Sequence, residues 1–372
     1  ERVEKTQNVA VGGGYDRHCR DLPQEEIDRL LAEGVPYVIR QKMPIEGSTS
    51  FTDAVFGEIT VENTELQDQI LIKTDGYPTY NFANVIDDHT MGITHVVRGC
   101  EYLSSTPKYN LLYEAFGWEI PTYIHLPLIM GKDADGNVSK LSKRHGATGF
   151  YDLIDEGYLP EAIINYIALL GWCPKDNQEI FTLKELEKAF DISGISKSPA
   201  VFDYDKLSWF NGEYIKAMTP EKFTEVAMPY YKKVFGDKQM PYEKFAAILQ
   251  KRTTQLTQIP EMLDFFAELP SYTKELFVNK KSKTNLENSP VVLKEAYDRL
   301  KAMPEWNETS IHDCLINMAV EKELKNGTVM WPVRIAAAGK TVTPGGAVEI
   351  LDILGRDESL ARLEKGMAIL AE

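Results

Sequence analysis

Apolar and polar positions change rhythm twice along the 372 residues. The opening stretch is rich in turns, with Gly12-Gly13-Gly14 ahead of Tyr15-Asp16-Arg17-His18-Cys19-Arg20. A short polar helix is predicted over residues 23–32 and closed by Gly34. Val35-Pro36-Tyr37-Val38-Ile39-Arg40 reads as an edge strand, since proline is tolerated there but not in a sheet centre. From residue 68 to about 131 the pattern becomes strand, helix, strand, helix, strand. Ile70-Leu71-Ile72 is a buried-strand signal ended by Asp75-Gly76 and Pro78, and a helix over 80–91 stops at Gly92. Thr94-His95-Val96-Val97 is the next strand. Ser105-Thr106-Pro107 opens a helix that Gly117 ends, and Ile124-His125-Leu126-Pro127-Leu128-Ile129 is the third strand. Such alternation predicts a parallel sheet covered by helices.

Beyond that point the helical period takes over. Ile163, Ile164, Ile167 and Leu170 share a helix that Pro160 opens and Gly171 stops. Further helices are predicted over 183–190, 220–234, 242–249, 260–267, 291–300, 311–325 and 346–354. The change from mixed to helical character falls near Met218-Thr219-Pro220. No internal repeat or low-complexity tract interrupts it.

Composition narrows the picture. At ~150 residues per domain the length predicts two or three domains. Hydrophobic residues at 43% and charged residues at 26% allow substantial cores. The net charge of −15 excludes a uniformly basic surface but leaves room for a local basic stripe, which is all that nucleic-acid binding requires. Cys19, Cys100, Cys173 and Cys314 lie far apart with no CxxC pair, poor material for a disulfide framework and in keeping with a reducing compartment. No apolar run approaches a membrane span, and the sequons at Asn137, Asn307 and Asn326 read as chance matches. No signal-peptide pattern follows Glu1, and the missing initiator Met hints at a longer protein.

Three features carry candidate chemistry. Tyr80 and Asn84 lie at i and i+4, so both side chains share one helix face just beyond a strand, where open α/β sheets bind ligands. The alternative is a packed tyrosine and a solvated asparagine. Arg98 ends a β-branched strand and suits a carboxylate or phosphate, the alternative being an ion pair with Glu101. Lys140-Leu141-Ser142-Lys143-Arg144-His145-Gly146 places two lysines and an arginine on one loop, as a polyphosphate clamp or as a solvated basic loop. Asp133-Ala134-Asp135-Gly136-Asn137 resembles the start of a calcium loop, but its glycine comes too early, so it reads as a turn.

Lys140-Leu141-Ser142-Lys143-Arg144 resembles the KMSKS signature of class I aminoacyl-tRNA synthetases. Its context is similar to the bacterial glutamyl-tRNA synthetases: Asp75-Gly76-Tyr77-Pro78-Thr79-Tyr80-Asn81-Phe82-Ala83-Asn84-Val85-Ile86-Asp87-Asp88-His89, Val96-Val97-Arg98-Gly99, His125-Leu126-Pro127-Leu128-Ile129, and the segment from Val201-Phe202-Asp203-Tyr204 to Gly212-Glu213-Tyr214-Ile215. The match runs in order over essentially the whole chain. It implies a fold of α/β plus all-α type, the C-terminal half of a Rossmann-type nucleotide-binding fold followed by a stem-contact region and an α-helical anticodon-binding domain. The implied divisions are 1–67 for the rest of an inserted acceptor-binding domain, 68–150 for the nucleotide fold, 151–218 for stem contact and 219–372 for the anticodon domain.

The resemblance also implies roles. Tyr80 and Asn84 would hold glutamate, with Arg98 on its side-chain carboxylate. A guanidinium facing the neutral amide of glutamine would be left desolvated and unpaired, so physics favours glutamate as well. Glu101 would approach the ATP ribose, the backbone of Leu128 and Ile129 the adenine edge, and Ser142, Lys143 and Arg144 the nucleotide. Lys140 and Lys143 would stabilise the α-phosphate transition state and the leaving pyrophosphate, with Mg²⁺ sharing the charge. The implied activity is glutamate–tRNA ligation in the cytoplasm: glutamate and ATP give glutamyl-adenylate, and the 3′ end of tRNA(Glu) takes the glutamyl group. The expected partners are tRNA(Glu), glutamate and ATP, with no membrane and a monomeric state.

Residues after Thr219 resemble the anticodon-binding region, and Lys274 to Lys301, including Lys280, Lys281 and Lys283, supplies a local basic stripe. That region argues against the truncated paralogue that glutamylates a modified base. Tyr15 and Cys19 match half of a zinc motif found in some members; four ligands are normally needed, and zinc is not expected. A nucleotidyltransferase of related fold and a non-catalytic tRNA-binding module are the competing readings. The family's HIGH motif is absent, since no His-x-Gly-His occurs in the sequence. The expectation is therefore an inactive fragment: this chain alone catalyses no glutamate-dependent ATP–pyrophosphate exchange, and robust exchange by the purified chain would mean that the catalytic groups are misplaced.

Overall fold

A computed structural model describes residues 15–133, 135–142, 145–146 and 149–372, so Gly12 to Gly14, Lys143 and Arg144 of the sequence readings lie outside the described residues. The chain divides into two compact units, one of residues up to 145 together with 167–202, the other of 146–166 and 203–372.

In the first unit, helix α1 (Gln24–Ala32) forms as predicted. The expected edge strand shrinks to β1 (Ile39–Arg40), because residues 35–38 around Pro36 join no ladder. It pairs antiparallel with β4 (Ile70–Ile72), which was expected in the parallel sheet. That place goes to β2 (Ser48–Asp53), which forms an unpredicted hairpin with β3 (Gly57–Glu62). The sheet order is β3-β2-β6-β5, where β5 (His95–Gly99) and β6 (Thr122–Leu126) are parallel and Asp53 of β2 pairs with Tyr123 of β6.

One buried side chain secures that join. Asp53 Oδ2 accepts from His125 Nδ1 at 2.6 Å and from the His125 backbone N–H at 3.1 Å. Its Oδ1 accepts from the N–H groups of Val55 and Phe56 at 2.9 and 2.8 Å. A carboxylate this deep is tolerated only because its acceptor sites are filled. Beyond His125, Pro127 lacks the N–H a ladder needs, so the expected single strand splits into β6 and β7 (Ile129–Lys132). A second sheet, β8-β7-β9, adds β8 (Val138–Lys140) antiparallel and β9 (Ala200–Val201) parallel. Helices α2 (Tyr80–Thr90) and α3 (Thr106–Phe116) pack through Val85, Tyr109, Leu112 and Tyr113. Pro107 sits in the first turn of α3, and Gly117 ends it in the left-handed region at φ 69°.

The second unit is helical, and a large apolar core runs through most of its helices. It contains α4 (Phe150–Asp155), the first part of α5 (Pro160–Gly171), α7 (Tyr204–Ala217), α8 (Pro220–Phe235), α9 (Tyr242–Leu249), α10 (Ile259–Ala267), α11 (Asn288–Ala302), α12 (Glu308–Glu321), α13 (Asn326–Ala338), α14 (Ala347–Leu354) and α15 (Arg356–Ala371); α6 (Leu183–Ala189) belongs to the first unit. Phe223, Tyr231, Phe245, Leu263, Leu293, Leu315, Val333 and Leu363 are all at 0% exposure in that core. Two polar side chains pin it. Asn211 Oδ1 accepts from the Leu159 N–H at 2.8 Å while its Nδ2 donates to Thr254 O at 2.6 Å, bonds whose loss would strand buried groups at ~1–3 kcal/mol each. Arg362 Nη1 donates to Phe265 O and Ala337 O at 2.7 and 2.9 Å, the last-turn carbonyls of α10 and α13 that no intrahelical N–H can reach. Among the described residues no helix is long and apolar enough to cross a membrane.

Candidate active site

Arg98 stands at the carboxyl end of β5, where a parallel strand delivers side chains to the sheet's binding edge. Its guanidinium lies 5.0 Å from the ring centre of Tyr102 and 5.2 Å from that of Tyr109, close enough for cation–π attraction to both. Tyr109 is held in place, 1% exposed, by donating from its hydroxyl to Asn81 Oδ1 at 2.9 Å. Arg98 Nη1 is buried and has no hydrogen-bond partner among the described residues, and Asn84 Oδ1 is in the same condition. A buried charged donor is costlier to leave unmet than a neutral one, for which the penalty is ~1–3 kcal/mol.

Helix α2 supplies the facing wall. Tyr80, Asn84 and Asp88 recur every four residues, so they share one face. Tyr80 remains 61% exposed, its ring 6.5 Å from that of Tyr102, which rules out the packed-tyrosine alternative. Burial raises the Asp88 carboxyl above its ordinary range and the nearby Arg98 cation pulls it back. Burial pushes the Tyr113 hydroxyl up to about 12, so it stays a neutral donor beside the guanidinium. The structure therefore sets Arg98 against tyrosines that the sequence reading did not single out. The signal for Tyr102 and Tyr109 was faint: aromatic residues following a strand end are ordinarily core.

The ion-pair alternative for Arg98 is replaced by a different pair. Glu101 Oε1 bonds Lys140 Nζ at 3.2 Å, tying the turn after β5 to the start of the basic loop. Lys140 remains largely exposed, so the pair adds little to stability. The carbonyls of Leu128 and Ile129 accept from the N–H groups of Ala200 and Leu141 at 3.2 and 3.0 Å, so each has one lone pair committed within the protein. Ser142 donates its N–H to His145 Nδ1 at 3.1 Å, a contact no spacing rule predicts. Asp133 Oδ1 accepts from the N–H groups of Asp135 and Asn137, which makes that segment the turn the sequence suggested. Tyr15 accepts from the Cys19 N–H at 3.1 Å and lies under the Arg40 guanidinium; among the described residues no three His, Cys, Asp or Glu side chains gather as a metal site.

In the helical unit, Lys280, Lys281 and Lys283 are exposed, while Lys294 bonds Asp298 and Lys301 bonds the Tyr297 hydroxyl. Lys281 lines a cavity of about 330 Å³ with Trp331 and Arg334, whose guanidinium lies 4.7 Å over the Trp331 ring.

Comparison with known families makes the chain a class I tRNA synthetase. The model of class I (E and Q) synthetase catalytic domains matches residues 1–209, and that of an anticodon binding domain matches residues 222–367. A glutamate–tRNA ligase from Clostridium kluyveri is 56% identical over 353 residues, covering 95% of this chain and 72% of that protein. One from Clostridium tetani is 53% identical, covering 98% and 74%. A glutamate tRNA ligase from Elizabethkingia meningosepticum, solved in complex with its amino acid, superposes with a TM-score of 0.83 at 34% identity, over 96% of this chain and 74% of that one. Within the class, the chain belongs to the glutamate–tRNA ligase family.

The Glu101 carboxyl is held below its ordinary range first by a bond from its own backbone N–H and then by Lys140. A depressed carboxyl contributes stability above its unfolded value and loses it as pH falls through the folded value. In a carboxyl-carbon NMR titration, Lys140→Met should move Glu101 part of the way back toward the ordinary range. An unmoved midpoint would show that Lys140 does not reach it in solution.

Proposed function

We propose that Arg98, flanked by Tyr80 and Asn84, takes the side-chain carboxylate of glutamate in this glutamate–tRNA ligase, and that the loop beginning at Lys140 serves the ATP phosphates. The observation that carries the reading is the buried Arg98 Nη1, with no acceptor among the described residues, against the rings of Tyr102 and Tyr109. A carboxylate offers two oxygens to such a fork and a carboxamide only one, so glutamine would strand a charged donor.

With the side chain so anchored, the α-carboxylate of glutamate is free to attack the ATP α-phosphate in line, forming glutamyl-adenylate and releasing pyrophosphate. The terminal ribose hydroxyl of tRNA then attacks the mixed anhydride, and AMP leaves. No protein nucleophile is required; orientation and charge lower both barriers. Lys140, released from Glu101, and Lys143 would meet the negative charge developing on the phosphates. Glu101, once released, would accept from ribose hydroxyls, while Leu128 and Ile129 would meet the adenine edge and Ser142 and Arg144 the nucleotide. Mg²⁺ would neutralise phosphate charge.

The four divisions read from the sequence are retained as functional regions, 1–67 for the acceptor end, 68–150 for chemistry, 151–218 for the stem and 219–372 for the anticodon. Exposed Lys280, Lys281 and Lys283 support tRNA contact in the last. We place the enzyme in the cytoplasm as a monomer.

In the protein at its full encoded length, Arg98→Ala should raise KM for glutamate about 100-fold, the loss of a charge-assisted pair of ~3 kcal/mol, while KM for ATP stays within about threefold. An unchanged glutamate KM with a normal melting curve would remove Arg98 from the pocket.

A further inference from the structure

His145 has no part in the reaction as read so far, yet it makes more specific contacts than any other described residue of the basic loop. Its ring lies on the backbone of Gly131: a Cβ built on that glycine would come within 2.6 Å of His145 Cγ and 2.8 Å of Nδ1. Gly131 and Ser139 are partners across the β7–β8 ladder, and His145 Nε2 lies 3.2 Å from Ser139 Oγ. The ring therefore covers one rung of that hairpin. The next rung is Met130 with Lys140, the lysine that leads into the loop.

The other edge of the ring faces back along the loop. Ser142 N–H donates to Nδ1 at 3.1 Å, and Ser142 Oγ lies 3.3 Å from the same atom. Nδ1 also lies 3.1 Å from Ser142 O, so in either tautomer of neutral His145 one ring nitrogen bonds Ser142 and the other Ser139 Oγ. One imidazole thus bridges hairpin and loop with a different nitrogen toward each. The His145 N–H also donates to Ser142 O at 2.9 Å. Gly131 has no positive φ, so its need for a missing side chain comes from the ring above it and not from its backbone.

We propose that His145 is a positioning residue for nucleotide chemistry: it latches the turn after Lys140 onto the Gly131–Ser139 rung and so fixes where Lys140 and Ser142 stand. The proposal rests on the reading of this loop as the phosphate site. The latch itself can be tested without that reading, because Gly131 and His145 occupy complementary space. Alanine at 131 forces the ring off its seat, and alanine at 145 vacates the seat that the new methyl needs.

The experiment compares wild type, His145→Ala, Gly131→Ala, the double variant and His145→Asn at full encoded length. Each is checked by thermal melting, assayed for glutamate- and tRNA-dependent ATP–pyrophosphate exchange, and exposed to limiting trypsin with cleavage after Lys140 followed by mass spectrometry. His145→Ala should lower kcat/KM for ATP about tenfold or more, the usual consequence of a loosened charged group, and speed cleavage after Lys140. Gly131→Ala should do the same, and the double variant should be no worse than His145→Ala in either readout. His145→Asn places an acceptor where Nδ1 was and should recover most of the exchange rate. Multiplicative losses in the double variant, or cleavage rates unchanged by His145→Ala, would overturn the latch. Coupled changes in cleavage with unchanged ATP kinetics would uphold the latch and overturn the phosphate reading of the loop instead.

Discussion

A buried charged donor at a strand end is the constraint on which the first unit turns. Arg98 is held between the rings of Tyr102 and Tyr109 at the end of a parallel strand, with Nη1 buried and without an acceptor among the described residues. Keeping it there requires neighbours that do not neutralise it. Glu101, three residues on and the obvious counter-ion, is turned away to Lys140. Asp88 is near enough to be affected electrostatically, but burial disfavours its charge. Asp88 and Arg98 thus act on each other through charge, while Glu101 is tied to Lys140.

The rest of the unit holds that arrangement still. Strands β5 and β6 run in register, so Arg98 sits beside His125, and His125 is fixed by Asp53 from the β2–β3 hairpin. A hairpin far earlier in sequence is in this way part of the frame that carries the guanidinium. Among the described residues, apolar clusters of the first unit flank this frame, with Phe51, Val96 and Tyr123 in one and Val85, Tyr109, Leu112 and Tyr113 in another.

How much of this could be read from the chain follows from what each feature depends on. The places of Tyr80 and Asn84 on one helix face and of Arg98 near a strand end were legible, because helical spacing and strand ends position side chains locally. Lys140 was legible from a compact basic string. The β2–β3 hairpin escaped because its Ser and Thr positions dilute the alternation, although Glu58-Ile59-Thr60-Val61-Glu62 does alternate. The partner of β4 could not be inferred, since pairing across about thirty residues depends on the whole sheet. Helix α13 was hidden by Gly327 and Pro332, and α15 by apolar residues scattered around its circumference. The Tyr102 and Tyr109 cradle and the seat of His145 on Gly131 exist only in three dimensions.

The central claim is that the unmet donor of Arg98 is the specificity element for an acidic side chain. Its most direct test is a crystal structure of the protein at its full encoded length with bound glutamate. The account predicts the γ-carboxylate within hydrogen-bond distance of Arg98 Nη1, with the guanidinium still lying over Tyr102 and Tyr109. A glutamate whose side chain is held elsewhere, with Nη1 left as it is now, would contradict it.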